Sequence, residues 1–192
     1  MPTNRLRIFL HRILNKYRIS SSARLEFGVV LAVNAATIGC ASIAAGNVFD
    51  GPFSLVIEDG VVLGNKNTFW SVMGGEVANM EEPEGGAPSM YSCIIRRNVL
   101  ITEGHFFDST GGFEVGEGTW IAGRGSQVWT HGLKSGPVMI GNNCYVGTHV
   151  IMSPRSATGS FNVILPGSVV SQRFNTNNAT LGGVPARITD SR

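Results

Sequence analysis

Charge is scarce in this chain. Asp, Glu, Lys and Arg make up 15% of the residues, against 43% hydrophobic, which excludes an intrinsically disordered chain. Cysteine is scarcer still. Cys40, Cys93 and Cys144 are odd in number and share no CxxC spacing, so neither a disulfide framework nor a structural zinc site fits. They read as small buried thiols in a reducing compartment. Acidic residues are missing before Glu26, a stretch that holds Arg5, Arg7, Arg12, Lys16, Arg18 and Arg24. Beyond it 13 acids outnumber the remaining bases, which excludes nucleic acid as a partner of the main body. Glycine is what the chain has in plenty, 25 of 192 residues with no collagen period. The length fits one domain with a real core, and the glycines imply many turns.

Residues 27–49 contain no charge over 23 positions, long enough to raise a membrane span. Gly28, Asn34, Gly39, Gly46 and Asn47 interrupt it. They favour short buried strands separated by turns. Before this run, Leu6, Phe9, Leu10, Ile13, Leu14 and Tyr17 fall at helical spacing. The spacing predicts an amphipathic helix over 5–18, with cations on its other faces. Such a helix either packs on its own domain or a neighbouring subunit, or lies on an anionic membrane surface.

From residue 55 a period of six appears. Ile57, Leu63 and Phe69 are spaced by six, as are Ile95, Ile101 and Phe107. Val115, Ile121 and Gln127 continue it, and Ile140, Val146, Met152, Thr158, Ile164 and Val170 complete it. The fifth position of each late hexad is small in most cases. Residues 73–92 interrupt the rhythm with a Gly-, Glu- and Pro-rich loop, read as a tolerated insertion, a flap or an intersubunit arm. A second break separates Gln127 from Ile140 by thirteen residues, and His131 stands at its mouth. One short strand plus a tight turn takes about six residues, so three hexads close a three-sided coil of parallel strands. The leading aliphatics then point inward and stack between coils.

These hexads, with "ILPGSVV" and "GGVPARI" near the end and "WIAGRGSQVWTHG" before the second break, resemble the hexapeptide-repeat acyltransferases, and within them the sugar and polysaccharide O-acetyltransferases. The resemblance covers about 55–188. It implies an all-β chain: a left-handed parallel β-helix with an N-terminal amphipathic helix and protruding loops. The organisation expected is a basic helical segment at 1–24, the β-helix at 25–188 with loops at 73–92 and 131–139, and a tail at 189–192.

The resemblance also implies chemistry. His131 would be the general base that deprotonates an acceptor hydroxyl for attack on acetyl-CoA. His105 and Asp108 are candidates to orient it or to hold the acceptor. Trp129, Trp120 and Glu114 are weaker candidates for acceptor binding, since an aromatic face suits a sugar ring. Small and basic residues of the last coils, Ser153, Gly167, Ser171, Gln172, Arg173 and Arg187, are those implied to bind CoA. No metal is implied; His149 reads as a turn residue, and His105, His131 and His149 lack metal-ligand spacing. A homotrimer with sites between subunits is implied, in the cytoplasm or at the inner face of a membrane. N-acetyl or serine-type transfer, a metal-dependent hydratase and a non-catalytic membrane-associated scaffold are the alternatives.

Overall fold

The computed structural model describes residues 3–72, 87–132 and 135–191. After helix α1 (Asn4–Leu14) the chain winds into a parallel β-solenoid with three strands per turn. From the strand Val62–Leu63 to the strand Val163–Ile164 each strand pairs in parallel with the one three positions later, which is the closed coil expected from hexads. The inward residues form three stacks. On the first face Ile101, Ile121, Val146, Ile164 and Leu181 are in register. On the second, Leu31, Phe49, Phe69, Phe107, Val128, Met152 and Val170 follow one another. Ile19, Ile38, Ile57, Ile95, Val115 and Ile140 do so on the third. Phe49, Phe69 and Phe107 stack ring on ring with centroids 4.6 Å apart, so dispersion between aligned rings holds successive coils together.

The solenoid begins before the rhythm is legible. Ile19 already pairs inward against Ile38, so strand pairing starts within the segment read as N-terminal helix. Residues 27–49 are coils, as their turn residues indicate, but their strands are not all short. Val30–Ile38 and the strand Val48–Ile57 that pairs with it run 9 and 10 residues and bend across the corner between the second and third faces. No described helix is long and apolar enough to cross a membrane. Cys93 and Cys144 are buried, with burial pushing the Cys93 thiol up to about 12. Cys40 is exposed instead, because it sits in a turn.

Two refinements of the repeat position the site. Val128, not Gln127, is the inward residue of its strand, 3% exposed. Gly123 and Gly125, both at φ 72°, lengthen the preceding turn by one residue. The second concerns where extra residues go. Steps from the second face to the third run Phe49 to Ile57, Phe69 to Ile95, Phe107 to Val115 and Val128 to Ile140. All exceed six. Steps across the other two corners stay within a residue of six. Both long insertions therefore leave the coil at the same corner; 73–86 and 133–134 lie outside the described residues.

The corner between the first and second faces is closed by a buried polar ladder. Asn47 Oδ1 accepts the Asn67 N–H at 3.0 Å, and Asn67 Oδ1 accepts the His105 N–H at 3.0 Å. His105 Nδ1 accepts the Ser126 N–H at 3.1 Å, and Ser126 Oγ accepts the Val150 N–H at 3.2 Å. These residues stand two before the inward residue of the second face, at the fifth position of their hexads except Ser126, which the longer turn makes sixth. Each supplies an acceptor to a backbone N–H that the turn leaves buried.

Candidate functional site

The corner that carries both insertions also gathers the titratable groups. Asp108 ends the strand Phe106–Asp108. Its Oδ1 accepts the Thr110 N–H at 3.0 Å and the Thr110 hydroxyl at 2.6 Å. That is an Asx turn, which starts the widened corner. One coil later Thr130 and His131 follow the strand Gln127–Val128. Asp108 Oδ2 accepts the Thr130 N–H and hydroxyl, each at 2.7 Å, and the His131 N–H at 2.8 Å. The His131 Nδ1–H donates to the same oxygen at 2.7 Å. A carboxylate only accepts, so the proton sits on Nδ1 and the Nε2 lone pair is left for a ligand.

The loop base is tight. Thr130 Oγ1 accepts the Gly111 N–H at 2.8 Å, and the Thr130 carbonyl accepts the Gly136 N–H at 2.8 Å. A Cβ on Gly111 would lie 2.4 Å from that carbonyl oxygen, so the close approach requires glycine.

Asp108 is fully buried, while the His131 side chain is 29% exposed. Burial alone would push the Asp108 carboxyl up. The bonds from the Thr110 hydroxyl and N–H, His131 and Thr130 outweigh it and hold the group below its ordinary value. Two indoles flank the imidazole. Trp70 lies 5.8 Å and Trp129 6.2 Å from it, centroid to centroid, and Phe106 sits 4.9 Å from Trp129. One edge of the histidine is thus pinned by an anion and its sides are lined by aromatics.

Of the three residues expected to act together, the structure brings Asp108 to His131 and places His105 elsewhere. His105 belongs to the polar ladder, at the opposite end of the same strand. Both its nitrogens are engaged, Nδ1 by Ser126 and Nε2 by the Thr102 hydroxyl at 3.1 Å. Desolvation lowers its pKa from 6.5 to about 4. Between those values the unfolded chain binds a proton that the folded chain does not. Stability is therefore complete above about pH 6.5 and falls as the pH drops towards 4, by at most about 3 kcal/mol. Urea unfolding across this range will show that decline in the wild type and not in His105→Asn, which restores the residue used at Asn67.

Other expected residues separate. Trp129 is at the site, but Trp120 is on the first face, edge-on to Tyr145 at 5.3 Å. Glu114 is on the third face, 2.6 Å from Arg96 in an ion pair, so its charge is engaged within the chain. Ser153 follows the strand after His131's coil, and Ser171 and Gln172 follow the next one. Successive coils are about 4.8 Å apart, so they continue the edge below His131, where Arg173 opens the next strand. Gly167 turns a different corner at φ 72°. Arg187 is on the closing strand Ala186–Ser191, its guanidinium donating to the Ala186 carbonyl at 2.9 Å. His149 is an exposed turn residue with φ 55°. Among the described residues no group of three or more His, Cys, Asp or Glu side chains is placed to hold a metal ion.

Sequence reasoning missed Trp70, Thr110, Thr130 and Arg155. Arg155 donates through Nε to the Ser135 carbonyl at 2.8 Å, beside the His131 loop. Thr110 was legible as the i+2 partner of an aspartate in a turn. Trp70 was not, being 61 positions from His131.

No family model matches the chain. A 56-residue stretch is 39% identical to the galactoside O-acetyltransferase of Escherichia coli K12. It spans 29% of this chain and 27% of that relative, so the chain matches about a quarter of the relative's length. Among solved structures, the GDP-perosamine N-acetyltransferase of Caulobacter crescentus, with CoA and GDP-perosamine, is 18% identical. That alignment covers 97% of this chain and 65% of the other, with a TM-score of 0.43. LpxA from Acinetobacter baumannii is 15% identical over 88% of this chain and 72% of its own, with a TM-score of 0.44. The period of six and the three-sided parallel coil it builds are the fold that the resemblance to hexapeptide-repeat proteins implied, and one stretch of the chain is similar to a galactoside O-acetyltransferase.

Proposed function

We propose that this chain transfers the acetyl group of acetyl-CoA to a hydroxyl of a sugar, with His131 as general base. The observation that carries this reading is the His131–Asp108 pair, set at the one corner from which both long insertions leave the coil. Asp108 holds the imidazole with Nδ1 protonated, so Nε2 is free to take the acceptor's proton. The acceptor oxygen attacks the thioester carbonyl, and the tetrahedral intermediate expels the CoA thiolate. The imidazolium returns its proton to that sulfur, leaving an acetyl ester and free CoA. Asp108 stabilises the imidazolium while it exists.

The aromatic walls formed by Trp70 and Trp129 suit a sugar ring stacked beside Nε2, and the galactoside acetyltransferase relative supports a sugar as acceptor. The edge below His131 offers Ser153 and Ser171 to the pantetheine arm, with Arg155 and Arg173 as cations for its phosphates. In a homotrimer a neighbouring subunit would line the other side of this edge, bringing surfaces such as those of Gly167 and Arg187. Acetyl-CoA as the donor supports a reaction in the cytoplasm or at the inner face of a membrane.

The test is release of free thiol from acetyl-CoA against a panel of neutral sugars, oligosaccharides and amino sugars, with products identified by mass. Ester formation on a neutral sugar is expected. Thiol release with amino sugars alone would replace O-transfer by N-transfer, and none with any acceptor would end the acetyltransferase reading.

A further inference from the structure

Helix α1 is mounted the wrong way round for a helix that serves its own core. Such a helix turns its apolar stripe inward. Here Ile8 is the one buried residue, while Leu6, Phe9, Leu10, Ile13 and Leu14 are 46%, 56%, 41%, 62% and 73% exposed. The side facing the solenoid is polar. Asn4 donates to the Ala23 carbonyl at 2.9 Å and accepts the Leu25 N–H at 2.9 Å. Arg12 donates to the Ile19 carbonyl at 2.8 Å, and Arg7 donates to that of Leu25. These contacts satisfy the outer backbone groups of the first coil, which has no earlier coil to pair with. They also lock the helix with its stripe pointing away from the protein.

The first coil also exposes Phe27 at 62% and Val30 at 45%. Arg5, Lys16, Arg18 and Arg24 are exposed in the same N-terminal stretch, and no acid precedes Glu26. An apolar helix face in a stretch whose charges before Glu26 are all cationic has the composition of an interfacial helix. A second copy of the same face would bring these cations against one another, whereas an acidic lipid surface is complementary to them. An 11-residue helix is about 16 Å long, enough to lie in the headgroup region and too short to span a bilayer.

We propose that α1 and the first coil form a docking face for an anionic lipid bilayer. The chain would stand on the membrane by its N-terminal end, with the solenoid axis pointing away. The face is separate from the His131 corner, so binding does not depend on the acetyltransferase reading.

The test is co-sedimentation of the full chain with phosphatidylcholine vesicles, with and without phosphatidylglycerol, at low and high salt. Binding to the phosphatidylglycerol vesicles, weakened by salt, is expected. The double variant Phe9→Glu/Ile13→Glu will bind at least about tenfold more weakly. Its thermal melting should be unchanged, because both side chains are more than half exposed. Equal sedimentation of variant and wild type overturns the proposal. So does an absence of vesicle binding together with a lipid-free oligomer that the variant dissociates, which would make a second copy the occupant.

Discussion

Replacing His131 with alanine is expected to lower kcat for acetyl transfer by about 10²–10⁴-fold, the range of a lost general base. The KM for acetyl-CoA should stay close to that of the wild type, because the base acts on the acceptor's proton. The fold will tolerate the change. The side chain is 29% exposed, and Asp108 keeps its backbone and threonine donors when the imidazole is gone. A stopped thiol-release time course at saturating acetyl-CoA separates the two parameters. Wild-type kcat in this variant would remove His131 from the chemistry, and a raised KM with unchanged kcat would make it a binding residue.

Asp108→Asn should damage both stability and turnover. The carboxylate accepts from both donors of Thr110, both of Thr130 and both of His131. An asparagine must place its NH₂ against one of these donor sets, whichever way the amide is turned. Buried donors left facing a donor, and the loss of charged hydrogen bonds, are expected to destabilise the fold by about 2–4 kcal/mol. Activity should fall about 10²-fold or more, since nothing then fixes Nδ1–H and stabilises the imidazolium.

The acid limb of stability will also change. Because the folded Asp108 titrates below its ordinary value, its stabilisation is present above the unfolded value near 4. It is lost as the pH falls through the folded value. The asparagine variant lacks that increment at neutral pH and therefore declines less in acid. Unfolding curves at pH 7 and pH 3 measure this directly. A variant with wild-type stability and turnover would show that the six-bond cage is incidental.

The two histidines show what spacing can and cannot reveal. His105 and His131 both stand beside turns, and both invite a chemical role. The fifth-position rule distinguishes them: His105 is two residues before the inward Phe107, as Asn67 is before Phe69 and Asn47 before Phe49. Read as a rung of that series, it is structural, and the hint was present in the chain. The partnership of Asp108 with His131 is different. They are 23 residues apart, more than the eighteen of a regular three-hexad coil. Whether they meet depends on how the extra residues are shared among the corners. Glu114 illustrates the same limit, since its ion pair with Arg96 is a contact between coils.

The sequence by itself determined the coil. Inward aliphatics every six residues are buried together when a strand and a tight turn repeat as a coil, so the period pointed to a parallel three-sided solenoid. It also determined that α1 has an apolar stripe and a basic remainder. Tertiary structure alone decided which side of that helix faces the protein, because the open edge of the first coil attracts arginine and asparagine donors more than it attracts leucine. Tertiary structure also decided the site. Both insertions leave at one corner, and the register Phe107 to Val128 places Asp108 under His131. Local pattern dictates which residues turn inward; register between coils dictates which outward residues become neighbours.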